Sequence, residues 1–109
     1  MNISITGRHV EVTEAIKQHA EDKVKRIKKY MHDVIDVHII LSVEKFRHKA
    51  EITVQGDGLT LHGEDVTDDM YASIDSVTSK VETQARKHKE KLKTARVKDK
   101  DTTNGEEQP

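Results

Sequence analysis

Residues 68–93, DDMYASIDSVTSKVETQARKHKEKLK, carry apolar side chains at Met70, Ile74, Val77, Val81, Ala85 and Leu92. That three-and-four spacing lines one stripe of an α-helix. Thr67 stands where an N-cap belongs, and Asp68 and Asp69 put negative charge at the positive end of the helix dipole. Arg86, Lys87, Lys89, Lys91 and Lys93 crowd the opposite end, with Glu90 the acid among them. One or two cations, each contributing about 0.3–1 kcal/mol, compensate a helix dipole. The excess points to an anionic partner.

Upstream of this helix the apolar period falls to two. From Ile35 to Phe46 the residues Ile35, Val37, Ile39, Leu41 and Val43 form one face and His38, Ser42 and Glu44 the other, with Ile40 an apolar exception. Lys45-Phe46-Arg47-His48 reads as a turn leading to a strand marked by Ala50, Ile52 and Val54. Gly56-Asp57-Gly58 is a hairpin signal, and Leu59 and Leu61 mark a final strand that ends at Gly63. At the N-terminus Ile3 and Ile5 alternate with Ser4 and Thr6 in a short strand that Gly7 breaks. Thr13 then caps a helix with apolar positions Ile16, Ala20, Val24, Ile27 and Met31, ending near Asp33.

The predicted order is β-α-β-β-β-α. Each helix has one apolar stripe, and both stripes must cover the apolar face of the sheet. The expected fold class is therefore α+β: a two-layer sandwich with a four-stranded sheet, two helices on one face and an open polar face, resembling a double-stranded RNA-binding domain. A right-handed crossover through the first helix makes the first two strands parallel if they are neighbours.

The 109 residues suffice for one domain, and with 33% hydrophobic against 36% charged residues its core must be lean. The expected folded domain spans 1–93. Residues 94–109 offer almost nothing apolar to bury and are expected to form a disordered tail. The formal net charge of -1 hides a segregation: Lys17, Lys23, Lys25, Arg26, Lys28 and Lys29 face only Glu21 and Asp22 in their stretch, whereas the charged residues from Glu64 to Asp75 are all acidic. With no cysteine there is no disulfide, thiolate ligand or thiol nucleophile. No signal-like N-terminus and no run of membrane-spanning length is present in the sequence, so a soluble cytoplasmic protein without membrane partners is expected.

On the first helix, Lys17, Lys25, Lys28 and Lys29 lie opposite or beside the apolar stripe. On the second, Lys80, Lys87 and Lys91 lie on one flank of the stripe and Arg86, Lys89 and Lys93 on the other. Two such helices side by side form a basic strip suited to phosphates, each contact lowering log affinity by about 0.7–0.9 per log unit of salt. Tyr30, Phe46 and Tyr71 are the aromatic residues, and none is at strand spacing, which argues against a base-stacking module and for recognition of RNA shape and backbone. The histidines His9, His19, His32, His38, His48, His62 and His88 show no helical ligand spacing with a carboxylate between them, so no metal and no cofactor are expected. Ser73, Ser76 and Ser79 sit on a helix without a strained turn or a paired base and acid, and Gly56-Asp57-Gly58 is too short for a phosphate loop. Nothing asks for an enzyme or a small-molecule substrate.

Asp69-Met70-Tyr71-Ala72-Ser73-Ile74-Asp75 followed by Lys87-His88-Lys89-Glu90-Lys91, with Val43-Glu44-Lys45 ending the long strand and Val12-Thr13-Glu14-Ala15 opening the first helix, resembles the bacterial ribosome hibernation promoting factor family. That family includes ribosome-associated inhibitor A and sigma-54 modulation protein relatives. The resemblance runs from about Met1 to Lys93. It implies a domain that binds the small ribosomal subunit in the head–body cleft on 16S ribosomal RNA, occluding messenger and the A-site and P-site transfer RNAs in stationary phase or stress. It implies RNA contacts from Lys17, Lys25, Lys28, Lys29, Lys80, Arg86, Lys87, Lys89 and Lys91, in agreement with the charge pattern. The chain is expected to lack the second, dimerising domain of long members, and short members work beside a small ribosome modulation factor to form inactive ribosome dimers. Its mixed tail, Lys98 and Lys100 against Asp99, Asp101, Glu106 and Glu107, leaves open whether it belongs with these or with the members that hold inactive monomers. Two alternatives stand beside this reading. One is a generic double-stranded RNA module; the other is a protein-interaction adaptor, for example of a sigma factor, acting through His38, Glu44, Glu51 or Thr53 on the open sheet face.

Overall fold

The computed structural model describes residues 2–97, without the side chains of residues 35 and 91–97. The elements are β1 (Asn2–Arg8), α1 (Glu14–Val24) continued by a 3₁₀ segment (Lys25–Tyr30), β2 (Val34–Glu44), β3 (Arg47–Gly56), β4 (Leu59–Thr67) and α2 (Met70–Val97). The sheet order is β1-β2-β3-β4, with β1 parallel to β2 and the other neighbours antiparallel. Order, sheet and layers agree with the reading of the sequence. The described part of the expected tail, through Val97, continues α2; the rest lies outside the described residues.

Alternation sets the sheet faces. Ile3 and Ile5 stand beside Val37 and Ile39, which stand beside Val54 and Ile52, so one face is apolar across three strands. Val37, Ile39, Leu41, Ala50, Ile52, Val54 and Leu61 meet Ala20, Val24 and Ile27 from the first helical segment, Met31 just beyond its end, and Met70, Ile74, Val77, Val81 and Ala85 from α2. All are buried. In so lean a core each fully buried Val, Leu or Ile stabilises the fold by roughly 1.5–3 kcal/mol relative to leaving it exposed.

Gly7 does not break the first strand, since β1 stays paired with β2 through Gly7 and Arg8, and four further local readings differ. Thr67 is not the cap of α2; Asp69 is, since its Oδ2 accepts the Ala72 N–H at 3.0 Å. Thr67 forms the turn before it, its Oγ1 accepting the Asp69 N–H at 3.1 Å. The first α-helix stops at Val24 and tightens into a 3₁₀ turn, a common way to close a helix end, which still buries Ile27. The turn between β2 and β3 is confined to Lys45 and Phe46, because Glu44 already pairs with Arg47 and His48 with Val43.

The fourth concerns Gly63, which does not end its strand: β4 runs on to Thr67. Gly63 faces α2, and a Cβ there would stand 3.0 Å from Val81 Cγ2 and 3.3 Å from Val77 Cγ2. Its absent side chain lets the helix sit down on the sheet. The Asp57–Gly58 turn has both residues at positive φ, 51° and 75°, as a two-residue type I′ hairpin requires. Asp57 also holds the loop before β2, its carboxylate accepting the His32 N–H at 3.0 Å and the Asp33 N–H at 2.7 Å.

Candidate nucleic-acid interface

Thr13 caps α1 as expected, its Oγ1 accepting the Ile16 N–H at 3.2 Å. With Ala20, Val24 and Ile27 buried, Lys17, Lys25, Lys28 and Lys29 are exposed. With Ile74, Val77, Val81 and Ala85 buried, Lys80, Arg86, Lys87 and Lys89 are exposed. Lys91 belongs to α2. Eight of the nine expected contact residues thus have described side chains, and all eight reach solvent from the helix layer.

The two helices run parallel. His19 meets Asp75, Arg26 meets Glu82 and Lys29 meets Lys89, so positions advance together along the seam. At its start His19 Nε2 lies 2.7 Å from Asp75 Oδ1 and its ring stands edge-on to Tyr71, centroids 5.1 Å apart. Lys23 reaches the same carboxylate at 3.7 Å, and Arg26 reaches Glu82 at 3.6 Å. Exposed pairs of this kind stabilise by about 0–1 kcal/mol. Their larger effect is on the distribution of charge. Asp75 and Glu82 neutralise the cations of the first half of the seam, and beyond them the seam ends on Lys29 and Lys89, whose Nζ lies 3.4 Å from the Lys29 carbonyl oxygen. Arg86 is one helical turn before Lys89 on this flank.

The other flank of α2 faces β4. Gln84 Nε2 donates to the His62 carbonyl at 2.8 Å, and Lys80 Nζ lies 3.4 Å from both Asp65 Oδ2 and the Glu64 carbonyl oxygen. Lys80 is therefore partly neutralised. Asp65 also accepts from the Ser76 hydroxyl. That bond, followed by the Val66 N–H and the Lys80 ammonium, holds its carboxyl below the ordinary value against the opposing effect of burial. His88 is half-buried on the apolar side of α2, with Nε2 lacking a hydrogen-bond partner among the described residues.

The far side of the sheet is polar, and no helix of the described residues lies on it. Strand register forms rows across it: Ser4, His38, Thr53 and His62 in one, Thr6, Ile40, Glu51 and Glu64 in the next. His38 and His62 do share this face, separated by Thr53. Ser4 Oγ and His38 Nδ1 lie 2.9 Å apart, as do Thr53 Oγ1 and His62 Nδ1. Glu51, His62 and Glu64 converge, with ligand atoms within 4.8 Å of one another. The sequence reading did not link these three. The two-residue hairpin fixes the β3–β4 register and was the signal that could have found them. Phe46, at the β2–β3 turn, is 86% exposed between Lys45 and Arg47.

No helix of the described residues is long and apolar enough to cross a membrane. The family described as Sigma 54 modulation protein / S30EA ribosomal protein matches residues 3–93. The ribosome hibernation promoting factor of Escherichia coli (strain K12) is 37% identical over 93 residues, covering 85% of this chain and 98% of that one. Among solved structures, the N-terminal domain of Thermus thermophilus Protein Y is similar with a TM-score of 0.76 and 32% identity, covering 81% of this chain and 99% of that one. A ribosomal subunit interface protein from Coxiella burnetii is similar with a TM-score of 0.74 and 29% identity, covering 83% and 99%. The β1-β2-β3-β4 sheet under two parallel helices, the basic helix ends and these matches agree, and the chain belongs to the Sigma 54 modulation protein / S30EA ribosomal protein family.

Proposed function

We propose that this protein is a ribosome hibernation factor that docks on the small ribosomal subunit through its helix layer, against 16S ribosomal RNA in the head–body cleft. Seated there, it blocks the path of messenger and the A-site and P-site transfer RNAs and keeps the ribosome inactive in stationary phase or stress. No chemical step is required; inhibition is by occupancy. The name of the Escherichia coli relative supports the role. The observation that carries the mode of docking is the parallel packing of the helices, which brings Lys89 within 3.4 Å of the Lys29 carbonyl and joins their basic ends into one surface.

Lys25, Lys28 and Lys29 from the 3₁₀ segment and Arg86, Lys87, Lys89 and Lys91 from α2 are the proposed centre of contact, with Lys17 at its rim. Lys80 contributes least, since Asp65 already shares its charge. Lys23 and Arg26 are committed to Asp75 and Glu82 and serve the seam.

The test is sedimentation of purified ribosomes with this protein through sucrose gradients across a salt series, with and without a ribosome modulation factor. Co-migration with small subunits that weakens steeply with salt is the expected result. A peak of dimeric ribosomes that requires the modulation factor assigns the protein to the dimer-promoting type, and its absence to the type that holds monomers. Equal affinity for free duplex RNA, or no co-migration at low salt, contradicts the proposal.

A further inference from the structure

We propose that Glu51, His62 and Glu64, on the open face of the sheet, form a binding site for a divalent transition-metal ion of the zinc type. The site lies on the opposite side of the sheet from the helices, so its test is independent of ribosome docking.

Register brings the three together. Glu51 and Glu64 are directly opposed across β3 and β4, an arrangement of like charges that destabilises a strand pair unless a cation lies between them. His62 is two residues before Glu64, on the same face of β4. Its Nε2 is 4.0 Å from Glu64 Oε1, and the ligand atoms of all three residues lie within 4.8 Å of one another. Tetrahedral zinc with bonds of about 2.0–2.2 Å holds its ligands roughly 3.3–3.5 Å apart, so small side-chain rotations close the set.

A second, independent feature concerns the imidazole. Thr53 Oγ1 lies 2.9 Å from Nδ1 of His62. In the tautomer whose Nδ1–H donates to this hydroxyl, Nε2 carries the lone pair and the contact is the outer-shell bond that orients a metal-ligating histidine. That lone pair then stands beside the Glu64 carboxylate, 4.0 Å away, with Glu51 completing the group of ligand atoms. Gln84 steadies the same residue from the other layer by donating to the His62 carbonyl.

Lys49 now supplies a cation here imperfectly. Its Nζ is 3.5 Å from Glu51 Oε2 and 3.7 Å from Glu64 Oε1, both longer than the roughly 2.7–2.9 Å of a tight charged hydrogen bond. An incoming ion displaces this ammonium to solvent. Two carboxylates and an imidazole suit first-row ions such as zinc, whereas magnesium and calcium favour oxygen donors throughout. The ion would tie β3 to β4 across the hairpin.

The experiment uses the full chain, freed of metal with a chelator, titrated with zinc chloride alone by calorimetry and followed by thermal unfolding. One saturable site per chain and a rise in melting temperature are expected. His62→Gln and Glu64→Gln should each weaken binding tenfold or more. Lys49→Met should tighten it severalfold by removing the competing ammonium, a gain that misfolding cannot imitate. Binding that survives His62→Gln unchanged places the ion on other histidines and overturns the assignment. So does absence of saturable binding at millimolar zinc, or a Lys49→Met variant that binds no tighter.

Discussion

Gly63 shows how a single position can carry two opposite meanings. Glycine is a strand breaker in isolation, so the sequence reads as a strand ending there. In the fold it is where the second helix approaches β4, with Val81 and Val77 at 3.0 and 3.3 Å from the place of a Cβ. Gly63→Val, favourable by strand propensity, should destabilise the domain by about 1–3 kcal/mol through overpacking, measured as a lower midpoint in urea. An unchanged midpoint would mean that the layer gap is not set here. The cap of α2 was illegible for a related reason. Thr67, Asp68 and Asp69 are all capping types in succession, and only the backbone geometry selects Asp69.

Asp65 makes a prediction in pH. Its carboxyl titrates below the ordinary 3.8 in the folded chain because it accepts from Ser76 and Val66 and lies beside Lys80. A depressed acid binds fewer protons folded than unfolded. Its stabilisation is therefore complete above the unfolded value and is lost as pH falls through the folded one. The stability difference between wild type and Asp65→Asn should be constant near neutral pH and shrink below about pH 4, measured by urea titrations at each pH. A difference that persists to pH 2 would show that the bonds to Ser76 and Lys80 do not depend on the charge.

At the scale of elements, the hairpins and the helix seam divide what was legible from what was not. Asp57-Gly58 could be read from sequence because positive φ at two consecutive residues restricts the choice so strongly. Gly58→Ala should cost roughly 1–2 kcal/mol although open space surrounds the position, since the penalty lies in the backbone at φ 75°. A neutral substitution would indicate that the turn relaxes to another type. The β2–β3 turn at Lys45 and Phe46 has no glycine, and its two-residue length emerged only from the pairing of Glu44 with Arg47. Helical period likewise told which face of each helix is buried but not how the helices run relative to each other. Their parallel course rests on contacts such as His19 with Asp75, between residues far apart in sequence. The same limit kept Glu51, His62 and Glu64 apart in the reading of the sequence, although the hairpin register already implies their meeting.

For the molecule as a whole, the formal charge of -1 is uninformative because the fold sorts it. Acids stand at the start of α2, along the first half of the seam and on the open sheet face, leaving Lys25, Lys28, Lys29, Arg86 and Lys89 exposed toward the other end of the helix layer. Periodicity made that basic strip legible. It did not show that Lys80 is held by Asp65 across the layer. The central claim is that this strip docks on ribosomal RNA, and salt tests it most directly. The measurement is the equilibrium dissociation constant for small ribosomal subunits as a function of salt, for wild type and for the triple variant Lys28→Gln, Lys29→Gln and Lys89→Gln. If the three lysines neutralise phosphates, the variant binds more weakly and its log–log salt slope is shallower by about two to three. Equal affinity and an equal slope, in a variant that unfolds at the same urea midpoint, would contradict docking through the helix layer.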